Sequence, residues 1–229
     1  MRTIIIGDIH GCNAALKALL EKVQPVSGQD RLVFLGDLFD RGPDSYGVWM
    51  TVKGLSEAFG ENLILLLGNH EDYLLQDRLT ARQRMIWEKV GRQATVLSFR
   101  GAGADMEDAA LWLHNRVKLF WKTEKFQCVH AGIMIDPPEV NDRYTLAHDH
   151  EIVLKNRYTG PLTITGHIAL EKATWFAGDG ETVQELEEGI ELILPDQGVI
   201  CVDTGCGKGG KLTSMIIDEK RYYLICVSE

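Results

Sequence analysis

The chain has 229 residues, with 33 acidic side chains against 24 basic ones and a formal net charge of -9. That balance argues against a nucleic-acid-binding surface, and no apolar run approaches the roughly 20 residues needed to span a bilayer. Five cysteines, an odd number without zinc-finger spacing, indicate neither a disulfide framework nor a Cys-type zinc site, but buried reduced thiols in a cytoplasmic protein.

Met1 to Gly7 reads as a central strand, entered directly and too short for the apolar region of a signal peptide. Asp8-Ile9-His10-Gly11 follows at its C-terminal end. Asp8 and His10 are two apart and share a side if the backbone stays extended. Asn13 is placed to cap a helix with apolar residues at Ala14, Leu16, Leu19, Leu20 and Val23, and Pro25 ends it. Leu32 to Leu35 is a second buried strand. It runs into Gly36-Asp37-Leu38-Phe39-Asp40-Arg41-Gly42, where Asp40 and the following Asp44 also suit a helix cap. Pro43 fits the first turn of a helix reaching about Phe59. Asn62 to Leu67 is a third strand, and Gly68-Asn69-His70-Glu71 ends it and opens another helix.

Residues 79–116 differ in character. Met85, Trp87, Phe99 and Trp112, several charges and a Gly-Ala-Gly break at 101–103 read as two or more helices inserted near the site as a cap. Its tryptophans are expected to pack between helices. Paired strands follow at 119–121 and 126–130, then a loop at 136–142 and partly helical chain at 145–157. Short strands fill the rest, at 162–166, 173–177, 181–186, 190–194, 198–202, 211–217 and 221–227. A βαβ first half and a β-rich second half predict one α/β (α+β) domain over 1–229. Its two sheets pack as a β-sandwich flanked by helices, in αββα layers.

The chemistry lies in a repeated device, an apolar run delivering a ligand-type residue at its end. It occurs at Gly7-Asp8, Gly36-Asp37, Gly68-Asn69-His70 and Gly166-His167. Without the leading Gly it recurs at Val129-His130 and Val202-Asp203. Strand C-termini are where open α/β sheets place their sites. Asp8, His10, Asp37, Asn69, His130 and His167 together offer carboxylate, imidazole and amide oxygen, a donor set for Mn²⁺, Fe or Zn²⁺. They are too many for one small ion with an open position. Two ions about 4 Å apart, bridged by one carboxylate, would use them all and activate a water for phosphoryl transfer. His70 is then the candidate acid for the leaving oxygen, with Asp40 available to orient it. Arg41 suits bidentate contact with phosphate oxygens.

The blocks Gly7-Asp8-Ile9-His10-Gly11, Gly36-Asp37-x-x-Asp40-Arg41-Gly42 and Gly68-Asn69-His70-Glu71 resemble the signature of the calcineurin-like metallophosphoesterases, within these the phosphoprotein phosphatase branch and its small bacterial and phage enzymes. Val129-His130-Ala131-Gly132, Gly166-His167 and Asp203-Thr204-Gly205 follow in matching order. The resemblance implies the following roles. Asp8, His10 and Asp37 hold one metal, and Asp37, Asn69, His130 and His167 the other, most simply Mn²⁺. His70 is the proton donor supported by Asp40, and Asn69 and Arg41 meet the phosphate. A second phosphate-binding arginine is expected between the later histidines, with Arg157 the better match and Arg143 the runner-up. His114, His148 and His150 match no family position and read as surface or local hydrogen-bonding residues.

The resemblance implies a phosphorylated protein or small phosphoester as substrate, and no nucleic-acid or membrane partner. Symmetrical diadenosine tetraphosphatases of the same branch tend to lack the acid at Asp40 and to carry Asp in place of Glu71. The two residues therefore point to a serine/threonine protein phosphatase, with the dinucleotide enzyme as the alternative. A non-catalytic phosphate-binding module is the remote third reading, and would have lost a ligand or His70.

Overall fold

The computed structural model describes residues 1–229. The first half alternates strand and helix: β1 (Arg2–Ile6), α1 (Asn13–Val23), β2 (Asp30–Phe34), α2 (Ser45–Phe59), β3 (Leu63–Leu66) and α3 (Asn69–Leu75). Three helices follow, α4 (Ala81–Lys89), α5 (Arg92–Gly101) and α6 (Met106–His114). Then come β4 (Val117–Lys118), β5 (Phe120–Lys122), β6 (Gln127–Val129), α7 (Arg143–His148) and α8 (Glu151–Leu154). The remainder is strand: β7 (Thr163–Thr165), β8 (Thr174–Phe176), β9 (Val183–Glu185), β10 (Leu192–Ile193), β11 (Val199–Cys201), β12 (Lys211–Asp218) and β13 (Arg221–Ser228).

The strands make a seven-stranded sheet in the order β10-β13-β12-β1-β2-β3-β4 and a six-stranded one in the order β5-β6-β7-β11-β8-β9. Strand periodicity explains how they stack. In β1, Ile5 faces one apolar cluster while Ile4 and Ile6 face another; in β2 and just after it, Val33 and Leu35 part from Leu32 and Phe34 in the same way. The cluster holding Ile5 and Val33 also holds Cys128, Ile164 and Ile200 of the second sheet, so it fills the space between sheets. The cluster holding Ile4 and Phe34 takes Leu16 and Leu19 of α1, Val48 and Val52 of α2, and Phe99 of α5. A smaller cluster joins Val153 of α8 to Val199 and Cys201 on the far face. These are the expected αββα layers. Each fully buried Ile or Leu of this kind contributes about 1.5–3 kcal/mol relative to an exposed one.

β1, β2 and β3 are parallel, in the register Ile5↔Val33↔Ile64. Their C-terminal ends therefore lie side by side. In the second sheet β6 is parallel to β7, and β7 to β11. The loops after these strands carry all the ligand-type residues named above, which is how positions from Asp8 to Asp203 can share one region.

Two local expectations are corrected. Asn13 is the first residue of α1 and does not cap it. Its amide donates to Asp44 Oδ2 at 2.8 Å and its oxygen accepts from Thr51 at 2.9 Å, tying α1 to α2. The helix after Pro43 starts at Ser45, capped by Asp44, whose Oδ1 accepts from Gly47 N at 2.8 Å. A proline fixes its own φ but supplies no acceptor, whereas the aspartate satisfies an orphan N–H.

Candidate active site

Asp37 is the centre of the arrangement. It belongs to two clusters of potential ligand atoms, one with His10 and His70 and one with His130 and His167, each with all atoms within 4.8 Å of one another. Its Oδ2 lies 3.6 Å from His10 Nε2, and its Oδ1 3.4 Å from His130 Nε2. Asn69 Oδ1 stands 3.3 Å from His130 Nε2. Asp8 Oδ2 is 3.9 Å from His10 Nε2 and accepts from the backbone N of His167 at 3.0 Å. All six proposed ligands are thus brought together, with one carboxylate common to both halves.

The backbone bends to do this. His10, Asp37, Asp40, Arg41 and His167 all have left-handed φ, between 48° and 70°. Such residues cost of order 1–3 kcal/mol each unless their surroundings fix them. Here the fixing groups are visible. Glu71, fully buried, accepts from the backbone N of Asp37 at 2.7 Å and of Leu38 at 2.9 Å. Burial pushes its carboxyl up to about 8. Because His10 turns left-handed, its convergence with Asp8 comes from that turn and not from an extended backbone.

The glycines that lead each motif have a steric reason. A Cβ on Gly68 would lie 2.2 Å from Asp37 Oδ1, and one on Gly166 would lie 2.0 Å from Asp8 Oδ1. Each carboxylate rests on the bare backbone of the neighbouring strand end. Gly68→Ala is expected to push Asp37 aside and weaken divalent-cation affinity by roughly 10–100-fold, the range for lost supporting contacts. A calorimetric titration with Mn²⁺ that matched the wild type would contradict this.

The imidazoles are oriented as metal ligands would need to be. His10 Nδ1 donates to Phe39 O at 3.0 Å and His130 Nδ1 to Leu35 O at 2.9 Å, which turns each Nε2 lone pair inward. Burial pushes His10 and His167 well below the usual histidine range, keeping them neutral. Burial, with the nearby charges of Asp203 and Asp37, pushes Asp8 well up. For Asp37 burial acts upward too, but the imidazoles of His130, His70 and His10 outweigh it and hold the group down. Asp8 Oδ1, His70 Nε2 and Asp203 Oδ2 are buried with no hydrogen-bond partner. Orphaned acceptors on crowded carboxylates beside neutral imidazoles are what a pair of divalent cations would satisfy, so the residues fit such a group.

His70 is built differently. Its Nδ1 contacts Asp40 Oδ2 at 2.6 Å, leaving Nε2 free and 3.8 Å from Asp37 Oδ2. Against burial, Asp37 and Asp40 raise its pKa. Asp40 is neither surface nor cap. It is 1 % exposed, and accepts from Trp87 Nε1 at 2.7 Å and from Thr95 Oγ1 at 2.6 Å. Trp87 therefore does more than pack between helices, and it escaped the sequence reading because it lies 47 residues from its partner. The Arg41 guanidinium lies against His10 Nε2, at the rim of the cluster.

A cleft of ≈ 910 Å³ opens over Asp37, Asn69 and His70. Arg82, Ile86 and Val90 of the α4 region line it, as do Arg143, His148 and His150. Arg157 does not line it and is exposed. The expectation that favoured Arg157 over Arg143 is corrected on position. Asn156, left-handed at φ 49°, hydrogen-bonds Gly178 N at 2.6 Å and Thr182 O at 3.0 Å, which turns that stretch toward the β8–β9 hairpin. Arg143 instead pairs with Asp72 through Nε at 2.8 Å. His148 and His150, expected as surface or local hydrogen-bonding residues, both line the cleft. His148 Nε2 meets Asp72 Oδ2 at 2.7 Å, and His150 Nδ1 lies 3.4 Å from His167 Nε2. Cys12 and Cys206 are buried behind the His10 loop, and Cys206 Sγ meets Ile9 O at 3.3 Å.

A family model described as calcineurin-like phosphoesterase matches residues 1–200. A protein of Shigella dysenteriae named bis(5'-nucleosyl)-tetraphosphatase, symmetrical, is 29% identical over 279 aligned positions, covering 98% of this chain and 94% of the relative. In structure, a metallophosphoesterase from Sphaerobacter thermophilus superposes with a TM-score of 0.68 at 18% identity, over 99% of this chain and 88% of its own. A protein serine/threonine phosphatase from Saccharomyces cerevisiae gives 0.63 at 14% identity, over 100% and 80%. These two likenesses bear on the fold, which they share. With the motif blocks in order, the two-sheet core and the family match over most of its length, the chain belongs to the calcineurin-like phosphoesterases.

Proposed function

We propose that this hydrolase cleaves a dinucleoside polyphosphate, with His70 as proton donor. Charge carries the substrate reading. The cleft presents Arg41, Arg82, Arg143 and Lys208 against Asp37 and Asp72, on a chain whose net charge is -9. One phosphoryl group is satisfied by one or two guanidinium groups, while four cations along a cleft suit a run of phosphates. The name carried by the Shigella relative agrees with this.

In this reading Asp8, His10 and Asp37 hold one divalent ion, and Asp37, Asn69, His130 and His167 the other, with Mn²⁺ the first choice and Fe or Zn²⁺ also suited to the donors. Bound there, the ions supply Lewis acidity and a water made nucleophilic near neutral pH. Arg41 and Arg143 grip phosphate oxygens, and Asn69 borders the same space. His70 delivers the proton from Nε2, its unpartnered nitrogen, to the departing phosphate oxygen. Asp40 holds the other nitrogen, so the ring cannot turn away.

A phosphoserine or phosphothreonine protein is the second reading, favoured by Asp40, since the family's diadenosine tetraphosphatases tend to lack an acid there. Glu71 no longer supports it. Its carboxylate is spent inside the protein on the Asp37 loop and never meets a substrate.

Chelation is expected to abolish turnover and Mn²⁺ to restore it. On the restored enzyme, diadenosine tetraphosphate should give the higher kcat/KM when run beside a phosphoserine peptide. A preference for the peptide would replace the first reading with the second, and activity that survived exhaustive chelation would sink both.

A further inference from the structure

We propose that the exposed face of Tyr144, backed by His148 and anchored through Asp72, is a nucleobase-binding subsite of the cleft. The proposal rests on the dinucleotide reading, and identifies where the base of the departing nucleotide sits.

Helix α7 turns two kinds of side chain in opposite directions. Leu146 and Ala147 are buried, while Arg143, Tyr144 and His148 line the cleft. The rings of Tyr144 and His148 are parallel to within 1°, with centroids 5.5 Å apart. Tyr73 packs edge-on against His148 at 5.7 Å. Tyr144 ends this stack and is 64% exposed, so one ring face is left for a ligand. An exposed aromatic ring on a rigid backing is the usual surface on which a base stacks. Ile86 and Val90 line the same cleft from the α4 side and offer it apolar contact.

The backing is rigid because of Asp72. Its carboxylate is 4% exposed and takes one oxygen to His148 Nε2 and the other to the Arg143 guanidinium. Burial acts against the charged form, but the bonds from His148 and Arg143 hold this carboxyl below its usual range. Asp72 stands two residues after His70 and three after Asn69, on the same helix. The stack is therefore fixed at a set offset from the reacting centre. Arg143 precedes Tyr144 directly. A ligand with phosphates on Arg41 and Arg143 would bring its next group, the nucleoside, to the tyrosine ring. A bare phosphoester has nothing to place there.

The test compares two probes within each variant, so that any change common to both cancels. Dissociation constants for adenosine diphosphate and for inorganic pyrophosphate are measured by calorimetry on the Mn²⁺-loaded full chain. In the wild type the base is expected to tighten binding roughly 10-fold over pyrophosphate, the scale of one aromatic–base stack. Tyr144→Ala should bring that ratio close to unity, and Tyr144→Phe should keep it. Asp72→Asn, which loosens the backing, should lower it partway. The proposal is overturned if the wild type binds both probes equally, or if Tyr144→Ala leaves the ratio intact. Failure of the dinucleotide reading shows up separately, as the peptide preference in turnover described above, and a base-dependent ratio lost in Tyr144→Ala would still establish the subsite.

Discussion

Asp37→Asn is expected to strip both divalent ions together and to lower kcat/KM by roughly 10³-fold or more, on the scale of losing the electrostatic stabilisation of a phosphoryl-transfer site. Asp37 is the one residue common to both ligand clusters. Its two oxygens face opposite halves, Oδ2 toward His10 and Oδ1 toward His130. Asparagine keeps the shape but offers a single acceptor and no charge. Its amide N–H₂ would then face an imidazole lone pair that expects a cation. The remaining carboxylates, Asp8 and Asp203, are both pushed up by burial and compensate poorly. Metal content by elemental analysis, read beside turnover, decides the matter. Loss of one ion with the other fully retained would mean that Asp37 does not bridge.

His70→Asn should leave both ions in place and still lower kcat by roughly 10²–10⁴-fold, the usual contribution of a positioned acid. The loss should shrink with p-nitrophenyl phosphate, whose leaving oxygen needs no proton. The competing role for His70 is as a ligand, since its Nε2 also falls within one Asp37 cluster. Geometry favours the donor. Nδ1 is bound to Asp40, and against burial Asp37 and Asp40 together raise the imidazole pKa above its ordinary value, which favours the form with a proton to give. A ligand must be neutral, as burial makes His10 and His167. Metal content that fell in His70→Asn as it falls in Asp37→Asn would assign it to the ligand set instead.

The strand ends were legible because two simple periodicities act there. Alternation puts Ile5 and Val33 between the sheets, parallel pairing lines up the C-termini of β1, β2 and β3, and a small residue lets each carboxylate rest on its neighbour. Ligand type at a strand end is a local property, and so it can be read from a local stretch. What surrounds those residues is not local. The donors to Asp40 come from 47 and 55 residues away, on helices whose sequence gives no hint of their target. The choice between Arg143 and Arg157 turned on one left-handed asparagine and one buried aspartate, neither marked by any motif. Glu71 reads as a pointer to substrate, yet its carboxyl acts inside the protein on the Asp37 loop, whereas Asp40 meets His70 as its spacing suggests. Arg41 and Asn69 line the cleft from inside the signature blocks, but Arg82, Ile86, Arg143 and Tyr144 line it from α4 and α7, outside every block.

The bond from Trp87 to Asp40 has a consequence for how such enzymes could diverge. Helices α4 and α5 look like an interchangeable attachment, the sort of segment that recombination or an engineer would swap to obtain a new specificity. Here the same segment carries Arg82, Ile86 and Val90 at the cleft and also Trp87 and Thr95 behind the acid's partner. A transplant that brought a new cleft wall without an indole and a hydroxyl in those places would take the turnover machinery away with the old one. With His70 and Asp40 in the roles proposed for them, selectivity and speed depend on one segment, and a change of substrate made residue by residue along it is expected to keep turnover where its wholesale exchange is not.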